Sequence, residues 1–321
     1  MKGAAGTMRD GKIGILVPAF NGGALLRETV MSAAGAGLPA DCYEILVSDN
    51  ASTDGSVAAL PERDAQGAPV TVRHNDVNIG RVANWNRALT AAEEMGFSYA
   101  IFLMVGDRLT DGSLLALRDR MARREALLGI APYLIVDEAL RPLRIARRIY
   151  WQGDADAALT AERFLAQSLA RGAMLYAPLG ANLYRIDGRA RLRFDPGDET
   201  HTDHLATALF AQHGRIVYLD RPVSMWRQRT GRFHSSMTVA QRLAGDLRVM
   251  ECACRAARLD PDYSKIRASM LLRGAIFHRG NVRRAWRHAH DIPQEARISW
   301  TWLLRLLVRQ MQHKTPWLVE A

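Results

Sequence analysis

Residues 13–21 read IGILVPAFN. The apolar run Ile13–Pro18 is short, ends on a residue with no N–H, and gives way at once to polar residues. That pattern predicts a strand buried on both faces of a parallel sheet. Working outward, Ala24–Ala34 sets Leu25, Leu26, Thr29 and Val30 on one helical face, and Tyr43–Ser48 (YEILVS) forms a second strand closing at Asp49. Val70–His74 is expected as a third strand, Val82–Glu94 as a helix and Tyr99–Val105 as a fourth strand. Strands alternating with helices predict an α/β fold, a mostly parallel sheet wound with right-handed crossovers.

Ligands of such sheets bind beyond the carboxyl ends of the strands. Three of these ends carry polar residues: Ala19-Phe20-Asn21, Asp49-Asn50-Ala51-Ser52 and Gly106-Asp107. They are expected to converge on one site. PAFNGG stands where a dinucleotide fingerprint would follow the first strand, and no GxxxxGK[ST] loop occurs. This argues against a nicotinamide dehydrogenase and against a P-loop NTPase. The stretch LMVGDRL, Leu103 to Leu109, delivers a single carboxylate, Asp107, with Arg108 directly after it.

Further along, Ala161–Ala170 and Asp203–Gln212 are expected as helices, the second with an acidic, polar first turn. Ile216–Leu219 is a short strand, and Gly180–Tyr184 with Phe194 forms a turn-rich patch. Beyond Val239 the pattern is helical and rich in arginine. The 321 residues suffice for one large α/β domain with an appendage, or for two domains, and 48% hydrophobic with 24% charged residues is a globular composition. Cys42, Cys252 and Cys254 have no metal-type spacing, which fits a reducing cytosol. The start, MKGAAGTMRDGK, lacks the apolar core of a signal peptide, and no apolar run reaches the roughly 18 residues that would span a membrane.

The net charge is +10, and residues 241–321 hold 15 Lys/Arg against 7 Asp/Glu. A basic tail of this kind can meet nucleic acid, anionic lipid or only solvent. Its arginines are dispersed without aromatic stacking motifs or a reader fold, so nucleic acid is not an expected partner. Trp300, Trp302 and neighbouring leucines alternate with Arg305 and Arg309 at helical spacing. An amphipathic helix on an anionic membrane surface and a helix packed on the domain both explain that pattern.

ILVPAFNGG, ILVSDNASTDGS, NIGRVANWNRAL and FLMVGDRLTDGSL occur in this order, and the resemblance they carry covers roughly Ile13–Ser236. Together they resemble family 2 glycosyltransferases of the GT-A fold, a Rossmann-like, mostly parallel sheet flanked by helices, here with a C-terminal helical extension. The resemblance implies an N-terminal tail (1–12), a nucleotide-sugar-binding half (13–110), an acceptor-binding half (111–238) and a basic helical extension (239–321).

It also implies roles. Pro18, Ala19, Phe20 and Asn21 would hold base and ribose, Phe20 being otherwise a core aromatic. Asp49 would accept the N3–H of uracil or thymine, while Ser52, Thr53 and Asp54 serve the site or cap a following helix. Asn78, Gly80 and Arg81 match a loop that meets the diphosphate, with Asn84 and Asn86 as buttresses. Gly106 and Asp107 take the place of an acidic cluster that usually has two or three carboxylates. A Mg²⁺ or Mn²⁺ ion there would be weakly held without donor. Arg108 would pair with Asp107 or touch phosphate.

Asp203, ahead of Glu199 and Asp198, matches the base of an inverting transferase, although a helix N-terminal charge explains it too. His234, Arg229 and Arg232 would reach the diphosphate or the metal. The implied activity is transfer from a UDP- or dTDP-sugar to a hydroxyl of a glycan or lipid-linked acceptor in polysaccharide biosynthesis, in the cytoplasm or on the inner face of the membrane. The thinned acidic cluster leaves a second reading, a nucleotide-sugar or glycan binder without turnover.

Overall fold

The computed structural model describes residues 11–146, 157–170, 178–198, 200–228 and 239–259. The opening strand runs a residue further than its proline suggests, as β1 (Ile13–Ala19), and leads into α1 (Gly23–Ser32). A 3-10 turn, Ala33–Ala36, then ends at Gly37 with φ 65°, so the helix expected through Ala34 is completed in a tighter winding. β2 (Tyr43–Asp49), β3 (Val70–His74), α2 (Arg81–Glu94) and β4 (Tyr99–Phe102) follow as the alternation requires.

β4 is shorter than the apolar run Tyr99–Val105. The Leu103 N–H still donates to the Leu16 carbonyl at 2.8 Å, but the chain then turns, with the Asp107 N–H on the Met104 carbonyl at 2.8 Å. Gly106 takes φ 94° in this turn, a conformation open to glycine and costly to other residues. The strand gives way at that glycine to β5 (Arg108–Leu109).

The chain continues through α3 (Ser113–Arg123), β6 (Ala126–Ile130), β7 (Tyr133–Val136), β8 (Pro142–Ala146), β9 (Leu159–Thr160) and α4 (Ala161–Ala170). The expected turn-rich patch is a strand, β10 (Asn182–Arg185), preceded by one 3-10 turn at Leu179–Ala181. Then come α5 (Thr202–Ala211), β11 (Arg215–Tyr218), β12 (Ser224–Arg227) and α6 (Val239–Ala256).

The main sheet has the order β3-β2-β1-β4-β10-β6-β11-β9. Its left part is wholly parallel, β10 runs antiparallel to both neighbours, and β11 returns to parallel pairing with β6. A second sheet has the order β5-β12-β7-β8. β1 and β2 are buried almost throughout, as strands covered on both faces must be.

Phe194 joins the two halves of the chain. Its ring meets Trp85 of α2 edge-on at 5.5 Å between centroids and Phe102 of β4 at 5.6 Å. The Asn86 amide fixes its backbone, donating to the Phe194 carbonyl at 2.8 Å and accepting the Phe194 N–H at 2.9 Å. Asn86 therefore ties down Phe194. At the other end, α6 packs on α5. Gly245 permits this contact, since a Cβ there would lie 2.0 Å from the His201 ring.

Truncating Phe102, which has no exposed surface, removes the floor of that aromatic cluster. Phe102→Ala is expected to lower the unfolding free energy by about 3–5 kcal/mol in a urea titration.

Candidate nucleotide-sugar site

The register of the parallel strands builds the site. Ala19 lies opposite Asp49, and Asp49 opposite His74, so three strands end level. β4 flanks β1 on the other side, with Phe102 opposite Leu16, and its chain runs on to Gly106 and Asp107. All the expected strand ends thus lie at one edge of the sheet.

The first two loops are stitched together. The Asn21 N–H donates to the Ser52 hydroxyl at 2.9 Å, and the Thr53 N–H donates to the Asn21 side-chain carbonyl at 2.8 Å. Asp54 accepts the N–H of Gly23, the first residue of α1, at 2.8 Å. Ser52 to Asp54 therefore brace the preceding loop and helix start; turns, and no helix, follow them. Asn21 at φ 47° and Ala51 at φ 63° both sit in the left-handed region. Such strain in non-glycine residues persists only where surrounding contacts impose it. Pro18 and Ala19 are largely enclosed, whereas Phe20 is 50% exposed. Its ring lies outside the core, free to meet a ligand.

Asp49 is only 3% exposed. Its Oδ1 accepts the Ser52 N–H at 3.0 Å, and its Oδ2 accepts from His74 Nδ1 at 3.0 Å. His74 is thus a partner that no sequence motif announced. Beside it lies a hub of neutral amides. Asn50 donates to the Asn78 side chain at 2.7 Å, and its own carbonyl accepts from Asn75 at 3.1 Å and from the Ile79 N–H at 2.9 Å. Asn75 also donates to Asn84 at 3.0 Å, and Asn84 donates to the Ser48 carbonyl at 2.8 Å.

These bonds hold the loop 75–80 against β2 and bring it into Gly80, where φ is 87°. Arg81 begins α2 with its guanidinium 5.0 Å from the centroid of the Trp85 ring. The buttressing expected of Asn84 is seen, with Asn50 as the centre of the network.

Asp107 is 8% exposed, and its Oδ1 accepts the main-chain N–H of Arg227 at 3.1 Å. The Thr29 hydroxyl accepts the Gly106 N–H at 2.8 Å and donates to the Asp107 carbonyl at 3.1 Å. Arg108 ion-pairs with Glu28 of α1, which also pairs with Arg227. The Asp107–Arg108 pairing considered from the sequence is replaced by this bridge, because β5 turns Arg108 towards α1. Hydrogen bonding from Arg227, joined by the hydrogen bond and charge of Arg108, outweighs desolvation and lowers the Glu28 carboxyl below its ordinary value. Glu28 and Arg108 also line an open cleft of about 670 Å³ between α1 and residues 54–59.

Among the described residues no group of three or more His, Cys, Asp or Glu side chains stands ready for a metal ion. Asp107 offers one carboxylate. That donor set fits a cation arriving on a diphosphate, with phosphate and water completing its shell, better than a preformed metal centre. His234, Arg229, Arg232 and Glu199 lie outside the described residues, as do Trp300 to Arg309.

Asp203 stands in the first turn of α5, with its side chain 20% exposed and His204 Nε2 4.0 Å from Oδ2. Asp198 has a different task. Its Oδ1 accepts the N–H groups of Thr200 and His201, both at 3.1 Å, and its Oδ2 pairs with Arg248 of α6. It closes the loop before α5 and clamps α6 to it.

Residues 14–159 match the family described as Glycosyl transferase family 2. This stretch is a family 2 glycosyltransferase segment. Solved structures similar to the whole chain include residues 1–349 of S. aureus TarS in complex with UDP-GlcNAc, at 18% identity and TM-score 0.59, covering 94% of this chain and 81% of that one. The mannosyltransferase PcManGT from Pyrobaculum calidifontis, in complex with GDP-Man and Mn²⁺, is 15% identical with TM-score 0.50, covering 94% and 88%. No curated protein sequence matches the chain. The architecture is the GT-A fold expected from the motifs.

Three contributors had no motif of their own, Glu28, His74 and Arg227, and Asn50 lies in a motif that did not mark it as a hub. Arg227 comes from the segment in which His234, Arg229 and Arg232 were singled out, and reaches Asp107 from across the chain. Only the unusual density of asparagine in residues 75–86 signals the amide network in advance.

Removing the amide with Asn84→Ala leaves the Ser48 carbonyl and an Asn75 N–H without their partner. A loss of about 1–3 kcal/mol in denaturant unfolding is expected.

The Asp198 carboxyl is raised by burial, but the His201 and Thr200 hydrogen bonds and the Arg248 charge bring it net below its ordinary value of 3.8. A folded-state value below the unfolded one stabilises the protein fully above pH 3.8, and the gain disappears as pH falls through the lower folded value. Acid titration should therefore expose the amides of α5 and α6 in that range, and Asp198→Asn should flatten the dependence.

Proposed function

We propose that the protein is an inverting glycosyltransferase. It moves a sugar from a UDP- or dTDP-sugar to a hydroxyl of a glycan or lipid-linked glycan acceptor in polysaccharide biosynthesis, at the cytoplasmic side of a membrane. The observation that carries this reading is the convergence, within the family 2 segment, of Phe20, Asp49, the Asn78–Arg81 loop and Asp107 at one sheet edge. The nucleotide-sugar ligands of TarS and PcManGT are consistent with it.

In this reading Phe20 packs on the base, and Asp49, oriented by Ser52 and His74, accepts the pyrimidine N3–H. Asn78 and Gly80 let the backbone approach the diphosphate, and Arg81 balances its charge. Asp107 faces the phosphates and, with His234, would hold a Mg²⁺ or Mn²⁺ ion carried by the donor. When bound, that ion would neutralise charge on the leaving diphosphate. The acceptor oxygen attacks the anomeric carbon on the face opposite the nucleotide. The bond to the diphosphate breaks, and Asp203 takes the hydroxyl proton. The configuration inverts because one displacement has occurred.

The single carboxylate at Asp107 favours the second reading, a binder of nucleotide sugar without turnover. Among the described residues no helix is long and apolar enough to cross a membrane. The basic charge of residues 241–321 supports contact of the tail with an anionic membrane surface.

Calorimetry with UDP, dTDP and GDP, followed by donor hydrolysis assays, tests both readings. UDP or dTDP should bind, and the matching sugar nucleotide should hydrolyse slowly. No binding to any nucleoside diphosphate overturns the donor site, while binding without transfer to any glycan pool selects the second reading. Asp203→Asn should lower kcat by about 10²–10⁴-fold while leaving nucleotide affinity near wild type. Asp107→Ala should weaken donor binding and its response to Mn²⁺. Full transfer activity in both variants would contradict these assignments.

A further inference from the structure

Glu28 lies in the middle of α1, outside the four motif stretches, yet it contacts both chain segments that frame Asp107. It pairs with Arg108, the next residue along the chain, and with Arg227, whose N–H donates to Asp107 Oδ1 at 3.1 Å. Its neighbour Thr29 grips the same turn through the Gly106 N–H and the Asp107 carbonyl, at 2.8 and 3.1 Å. Two consecutive residues of one helix thus hold the Gly106–Arg108 turn, one by its backbone and one by side-chain charge.

We propose that Glu28 is a positioning residue for Asp107, fixing the direction in which that carboxylate meets the donor diphosphate by tying Arg108 and Arg227 together. The inference rests on the donor-site reading given above.

The physical argument is one of charge and reach. Two guanidinium groups beside a lone carboxylate would repel each other and compete for Asp107 or for incoming phosphate. Glu28 occupies both. Arg227 is 5% exposed, and a buried guanidinium without its partner is costly. Arg227 is also the last residue of β12, paired in register with Val136 of β7, so its backbone is anchored on the far side. Loosening its side chain therefore acts on an N–H that meets Asp107. The hydrogen-bonded, lowered carboxyl of Glu28 agrees with a charge engaged in this bridge.

The test compares full-length wild type with Glu28→Gln, and with Glu28→Asp should the first variant fold poorly. Amide exchange of the peptide spanning Ser224–Gln228, donor hydrolysis kinetics and the Mn²⁺ concentration for half-maximal rate are measured together. In Glu28→Gln the Arg227 amide should exchange about tenfold faster. Its kcat should fall by about 10–100-fold, as small misplacements of reacting groups do. More Mn²⁺ should be needed, while UDP affinity without metal stays unchanged, and Glu28→Asp should fall between.

Unchanged Arg227 exchange overturns the proposal. Faster exchange with unaltered kcat and Mn²⁺ response also overturns it, reducing Glu28 to a structural ion pair. Should wild type bind no nucleoside diphosphate, the donor-site reading falls by itself, and the exchange data alone decide whether Glu28 holds the Asp107 turn.

Discussion

The level ending of β1, β2 and β3 is the constraint on which the site depends. Parallel pairing sets Ala19, Asp49 and His74 in one line. A slip of one residue in either pairing would turn every side chain of the slipped strand to the opposite face. Both faces of β1 and β2 are buried, so such a slip would misfit the packing on each face. The register is therefore held by the same packing that stabilises the sheet, and the loops that follow inherit their positions from it.

Much of this frame was legible in the sequence, because buried parallel strands leave short, continuous apolar runs and the helices between them keep their own period. Val70–His74 and Ala161–Ala170 coincide with their expected spans. The stretch from α3 to β8 yielded no such pattern, since its strands are short and several belong to a small second sheet. β10 was hidden for a related reason: an antiparallel strand of four residues placed among parallel ones has too little length to show alternation. The end of β4 was misplaced because hydrophobicity continues past Phe102 into residues that pack without pairing.

The site residues divide in the same way. Those that lie next to strand ends were readable, since the chain direction alone brings them to the sheet edge. Glu28 and Arg227 were not, because their meeting depends on a contact across 199 positions of sequence. The Asp-Arg pair in LMVGDRL suggested a local ion pair. The bridge through Glu28 shows that Arg108 is balanced by another element.

Gly245 gives the helical extension a mechanical meaning. The missing side chain lets α6 seat against the His201 ring, and the Arg248–Asp198 ion pair fastens the same helix to the loop before α5. His201 immediately precedes the turn that carries Asp203. α6 is thus keyed to the root of that turn like a lever to its fulcrum. A shift of α6 would therefore be felt first at the turn that carries Asp203.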